Sequence, residues 1–171
     1  MTLAQFTEPK LLVPRLLSNH RESAIIELSR RLESAGRIEN ADSFVDAAMD
    51  HESIASAVFE GVTFPLARGR AVKELSFAAG LSRQGIRWGA GRSPVVHTVV
   101  LFAVPLAEGQ TYLSLVVTFS SFMKDETAFS ALRRCVRPEA MLNVLEQVRV
   151  VRMVHNPANG NAAPAGHGNK I

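Results

Sequence analysis

Apolar positions recur along this chain in two rhythms, and the changes from one to the other mark out its elements. Ile25, Leu28, Leu32 and Ala35 stand at helical spacing, with Arg30, Arg31 and Glu33 on the opposite side. Asn19 followed three residues later by Glu22 has the form of a capping-box start, and Gly36 supplies the stop. A second start at Asn40 opens a helix whose apolar face is Phe44, Val45, Ala48 and Met49. Together they predict an αα-hairpin. Ahead of it, Leu11 to Leu17 is apolar and extended, and Pro14 confines that stretch to a sheet edge or to a loop against the core.

Periodicity is lost from His51 to Glu60, and Gly61 to Pro65 then reads as a short strand that the proline closes. Leu66 follows at the mouth of the sheet, with a loop expected from Pro65 to Arg70. Leu75, Phe77, Ala79 and Leu81 alternate at period two, Ser82 to Gly85 reads as a turn, and Ile86 to Trp88 as a short returning strand. Val95 to Val104 is a nearly continuous β-branched run, which suits a central strand covered on both faces and ended by Pro105. The stretch around Tyr112 fits both periods. Because Phe122 and Met123 continue Leu115, Val116 and Phe119 on the helical one, it predicts a helix. Asp125 caps a further helix carrying Phe129, Leu132 and Val136, and Pro138 opens a last one with Met141, Leu145 and Val148. From His155 the composition turns to Asn, Gly, Ala and Pro, which predicts a disordered tail over 155–171 behind a folded domain over 1–154. The fold class is α/β, a mixed β-sheet sandwiched by helices on both faces.

Composition narrows the function classes. A chain of 171 residues with a formal charge of +3 and no run of like charge argues against nucleic acid as partner. The single cysteine, Cys135, excludes an internal disulfide and reads as a small buried apolar residue. No metal-ligand spacing, glycine-rich phosphate loop or nucleophile elbow occurs, so neither metal nor cofactor is expected. Residues 1–8 lack the basic start and apolar core of a leader, and the longest apolar run is too short to span a bilayer. These features predict a cytoplasmic protein without membrane insertion.

Several segments carry a resemblance. Gly36-Arg37-Ile38, His51-Glu52, GVTFPLAR at 61–68, GIRWGA at 85–90, PVVHTVVLFAVP at 94–105 and TYLSLVVTFSSFMKDETAFSALRRC at 111–135 follow one another in the order and spacing of a known family. The chain resembles the type 2 IIA domain of the bacterial phosphotransferase system, the mannitol, fructose and nitrogen-regulatory group, from about Leu11 to Leu145. In that family a histidine after the strand-ending proline accepts a phosphoryl group from the phosphocarrier protein HPr and passes it on. An imidazole suits this step, since its neutral nitrogen is a nucleophile near pH 7.

The resemblance places the phosphoacceptor position on Leu66, the family's arginine on His51 beside the retained Glu52, and a second histidine position on Tyr112. Leucine has no lone pair to offer. The resemblance therefore implies a regulatory or protein-binding module that carries no phosphoryl group, with Glu52, Arg68 and Arg70 as candidate binding residues. The alternative is a phosphocarrier that uses another histidine, His51 first. His97 reads as a hydrogen-bonded structural residue, His20 as exposed near a helix start, and His155 and His167 as tail residues; Trp88 reads as core cover. The implied partner is a protein: an HPr-like phosphocarrier, a transporter domain, a kinase or a transcription regulator.

Overall fold

Six strands share one mixed sheet, and each face is covered by a different half of the chain. A computed structural model describes residues 1–153. Chain order is β1 (Leu12–Val13), α1 (Arg21–Ser34), α2 (Ala41–Ala55), β2 (Val58–Phe59), β3 (Val62–Thr63), β4 (Leu66–Arg68), β5 (Ser76–Arg87), β6 (Val95–Val104), α3 (Gly109–Lys124), α4 (Glu126–Arg133) and α5 (Pro138–Glu146). Strand β6 is the spine, antiparallel to β5 on one side and parallel to β3 and β4 on the other. β1 lies parallel to β5 at one edge, as its proline-limited sequence predicts.

Alternation along β6 divides the core. Val99, Leu101 and Ala103 face the α1–α2 hairpin with Ile25, Leu28, Leu32 and Phe44. Val100, Phe102 and Val104 face α3, α4 and α5 with Leu115, Phe119, Leu132 and Met141. The predicted sandwich is the observed one. The helical reading of the Tyr112 stretch holds, and Asn40 and Asp125 cap their helices by accepting from Ser43 N and Ala128 N at 2.9 and 3.0 Å.

Elsewhere the local reading is corrected. The N-cap of α1 is His20 and not Asn19: its side chain accepts from Ser23 N, and the carboxylate of Glu27 takes Leu17 N and Ser18 N instead. Helix α2 runs through His51 and Glu52 to Ala55, beyond the point where its apolar period fades, because Ala48 and Glu52 still face the interior. Glu60 and Gly61, both at positive φ, form a tight turn between β2 and β3, a hairpin the sequence reading missed. Ser76 to Arg87 is one long strand and not a strand, turn and return; it keeps its pairing with β6 across an irregularity between Leu81 and Ile86. Helix α4 stops at Arg133, which leaves Val136 67% exposed, and Val148 lies beyond α5. Cys135 is half-buried, its thiol directed to Ala131 O at 3.2 Å. The predicted tail, with His155 and His167, lies outside the described residues.

Candidate functional site

Pro65 does not stop the ladder. Val62 pairs with Thr98 before it and Leu66 with Phe102 after it, so the same offset holds on both sides. Pro65 O accepts from Phe102 N at 2.9 Å and Gly69 N donates to Val104 O at 3.1 Å, which places the odd-numbered positions against β6. The N–H that proline lacks is one rung, and its loss divides a single strand into β3 and β4. The residues after it, expected in a loop, thus form a strand. Among the described residues β4 pairs with β6 alone, so Leu66 and Arg68 turn their backbone groups away from that pairing, to the open side.

That edge opens onto a cleft of about 670 Å³ that brings together Leu66, His51, Tyr112 and Arg68 with the loop and first turn ahead of α3. Ala67, between Leu66 and Arg68, is buried on the opposite face among the residues of the helical hairpin. Leu66 lies half-buried on the α3 side with Phe64 and Tyr112. The floor beneath it is aromatic. Phe102 meets Tyr112 edge-on at 5.3 Å and Phe119 at 5.9 Å, and Phe64 adds to both Phe102 and Phe119. Burial pushes the Tyr112 phenol above its ordinary value, so it stays protonated.

Charge enters from two sides. The Arg68 guanidinium donates to Leu106 O and lies against the start of α3, where a β-carbon on Gly109 would approach its Nη2 to 3.3 Å. Helix α3 has no side-chain cap, and Gly109 and Gln110 of its first turn line the cleft, so the positive end of its dipole adds to Arg68. Among the described residues no carboxylate lines the cleft. His51 lines it from α2, half-buried, and its Nδ1 is shielded from solvent with no hydrogen-bond partner among the described residues. The rim is apolar, with Leu106 48% and Leu113 44% exposed.

Two of the expected binding residues sit elsewhere. Glu52 is 4% exposed, and its carboxylate accepts from Trp88 Nε1 at 3.0 Å, with Trp88 itself buried as predicted. Arg70 lies beyond the end of β4 and lines a separate recess with Ile38, Asn40 and Ser43, a recess that Arg68 borders as well. His97 is held by Ser82 O at 2.9 Å, the hydrogen-bonded role its sequence suggested. The sequence reading missed Leu106, Gly109 and Gln110. The signal available was an apolar residue directly after the strand-ending Pro105, followed by a glycine with no capping side chain.

A mixed sheet with a helical hairpin on one face, three helices on the other, and a cleft where an edge strand passes a proline defines a IIA-type architecture. The sequence signature of the phosphoenolpyruvate-dependent sugar phosphotransferase system EIIA 2 family matches residues 5–148, and the chain belongs to that family. It is 28% identical over 149 residues to the 2-O-alpha-mannosyl-D-glycerate-specific EIIABC component of Escherichia coli (strain K12). That match takes in 85% of this chain and 23% of the relative, so the chain spans under a quarter of that protein's length. Among solved structures it resembles the nitrogen regulatory protein IIA-Ntr of Neisseria meningitidis at a TM-score of 0.73 and 15% identity, over 83% of this chain and 97% of that one. It also resembles the Escherichia coli mannitol enzyme IIA in its complex with phosphorylated enzyme IIB, at 0.69 and 17%, over 82% and 96%. At these identities the structural likeness speaks for the fold. Among the described residues no helix is long and apolar enough to cross a membrane.

Proposed function

We propose that this chain is a IIA-type module that works by binding a protein at the β4 cleft and does not carry a phosphoryl group. The observation that carries this reading is Leu66, an aliphatic side chain at the edge-strand position after Pro65 where the family resemblance puts the acceptor imidazole. Phosphoryl transfer needs a lone pair at the acceptor, and Leu66 has none. Neither Tyr112 nor Arg68 substitutes: the Tyr112 phenol is held protonated, and Arg68 is engaged with Leu106 O. What the cleft does offer is an aromatic floor, an apolar rim and a positive end, a combination suited to a protein surface with an acidic fringe. The Escherichia coli mannitol IIA engages another protein, its enzyme IIB. A protein partner is the matching assignment here.

The second reading is transfer through His51, favoured by its unpartnered Nδ1 within the same cleft. One experiment separates the two. The full chain is incubated with phosphoenolpyruvate, enzyme I and HPr, and its intact mass is followed. The expected result is no acid-labile adduct on the native chain and weak labelling of Leu66→His. A stoichiometric adduct that disappears in His51→Ala would replace the first reading with the second.

A further inference from the structure

A second cluster of positive charge lies away from the β4 cleft, where the irregular part of β5 passes α4. Arg83, Arg133 and Arg134 surround a concavity of about 300 Å³ together with His97, Ser82 and Ser130, over a wall formed by Leu81. Among the described residues no carboxylate lines it, and the ion pairs found among those residues all use Arg37. Arg133 and Arg134 close α4, where attraction to the helix dipole accounts for them. It does not account for Arg83, which comes from the sheet and adds a third guanidinium to a space where like charges repel.

The backbone is shaped for this arrangement. The register irregularity between Leu81 and Ile86 breaks the regular alternation of β5 where Ser82 and Arg83 stand. His97 is fixed beside it by Ser82 O, and Gly85, at φ +83°, leaves the room the ring needs: a β-carbon there would stand 3.0 Å from His97 Cε1. Arg133 is held by Ser130 Oγ at 3.4 Å and lies 5.3 Å over the Phe129 ring. The hydroxyls follow the same logic. Ser82 Oγ already accepts from Gly85 N at 3.1 Å and Ser130 Oγ from Arg133, so each has its own proton left to donate. Ser82 O, a backbone acceptor at this place, is taken by His97.

We infer that the Arg83–Arg133–Arg134 pocket binds the phosphate monoester group of a small molecule. Three guanidinium forks and two hydroxyl donors match a dianion with three terminal oxygens, which a single carboxylate would leave partly unused. The volume sits at the lower limit of ligand pockets, about 300–1,000 Å³, and selects a compact ligand. This site is independent of the β4 cleft, and its occupancy does not depend on whether the chain carries a phosphoryl group.

The test is a titration of the full chain, in chloride buffer at constant ionic strength, with inorganic phosphate, glycerol phosphate, glycerol and a phosphoserine peptide, followed by amide NMR. Glycerol phosphate is expected to move the amides of residues 81–85 and 130–134, with glycerol inert. Arg83→Gln and Arg134→Gln should each weaken binding about tenfold or more, with the Lys variants in between, while Arg30→Gln on α1 leaves it unchanged. Unchanged thermal melting of the variants ties any loss to the ligand. The inference is overturned if glycerol phosphate moves none of these amides, if it moves instead those around Arg68 and Gly109, or if Arg30→Gln weakens it equally. Tighter binding of the phosphopeptide would replace the small-molecule assignment with a phosphoprotein.

Discussion

Glu52 and Trp88 stand 36 positions apart and meet as a buried carboxylate and the indole N–H it accepts from, at 3.0 Å. Removing the acceptor strands a buried donor, which costs about 1–3 kcal/mol, whereas glutamine keeps an oxygen in place. Glu52→Ala should therefore destabilise the fold by about 1–3 kcal/mol and Glu52→Gln by less. Trp88 is the sole tryptophan, so its fluorescence during urea unfolding reads both variants directly. Equal stability of Glu52→Ala and the native chain would show that the pair contributes nothing net. Tyr112 offers a second residue-level test, as the sole tyrosine. Its phenol is raised above 10.0 by burial, so the folded state favours the neutral form. The sign follows: this contribution is fully present below about pH 10, the unfolded value, and is lost as pH climbs through the higher folded value. Near-ultraviolet titration should give a folded midpoint above that of the urea-unfolded chain, and Tyr112→Phe should flatten the alkaline loss of stability. The Trp88–Glu52 bond was not legible in the sequence, since it depends on contact between distant segments, whereas Tyr112 shares the apolar helical face of Leu115 and Phe119 that the periodicity shows.

At the level of elements, what the sequence reveals is the chemistry that acts locally. Asn40 and Asp125 announced their helices because a short oxygen-bearing side chain reaches the N–H three residues on, whatever else the chain does. His20 performs the same service for α1 through an imidazole nitrogen, outside the usual set of capping residues, and so went unread. The β4 edge was misread for a different reason. A proline deletes one rung, but neighbouring rungs on both sides hold the register, and only the partner strand shows that they do. The irregularity in β5 is the third case, where Gly85 at positive φ suggests a turn yet serves a continuing strand. Gly85 and Gly36 then make a controlled pair. Both adopt positive φ, but a β-carbon at Gly36 meets nothing within 4 Å while one at Gly85 would stand 2.5 Å from Val95 Cγ1. Gly36→Ala should cost about 1–2 kcal/mol from backbone conformation alone, and Gly85→Ala should cost more by the added clash. Urea midpoints of the two variants check the ranking, and a smaller loss at Gly85 would mean that β5 relaxes around the extra carbon.

For the whole molecule, the question is how two helical layers that meet mainly through the sheet are held in one arrangement. The amino-terminal segment is bonded to the segment that follows α5, since Leu3 N donates to Val148 O and Val150 N to Met1 O. Arg37, in the turn between α1 and α2, reaches back to Glu8 at 2.9 Å and across to Glu74 at 2.8 Å, joining that segment, the helical hairpin and the approach to β5. The two bonds differ in worth. Arg37 and Glu8 have side chains 13% and 34% exposed, while Glu74 is 64% exposed and its bond is screened by water and salt. Removing Arg37 also leaves the Glu8 carboxylate partly shielded without its cation. Arg37→Ala is therefore expected to lower stability by about 1–2 kcal/mol, and Glu74→Ala by less than about 0.5 kcal/mol. The loss in Glu74→Ala should vanish in high salt while most of the Arg37→Ala loss persists. Urea unfolding of both variants at low and high salt measures this, provided the m-value is unchanged, which shows that the same surface is exposed. If Arg37→Ala unfolds with the native midpoint, the layers are held by their apolar cores alone and the ion pairs are incidental.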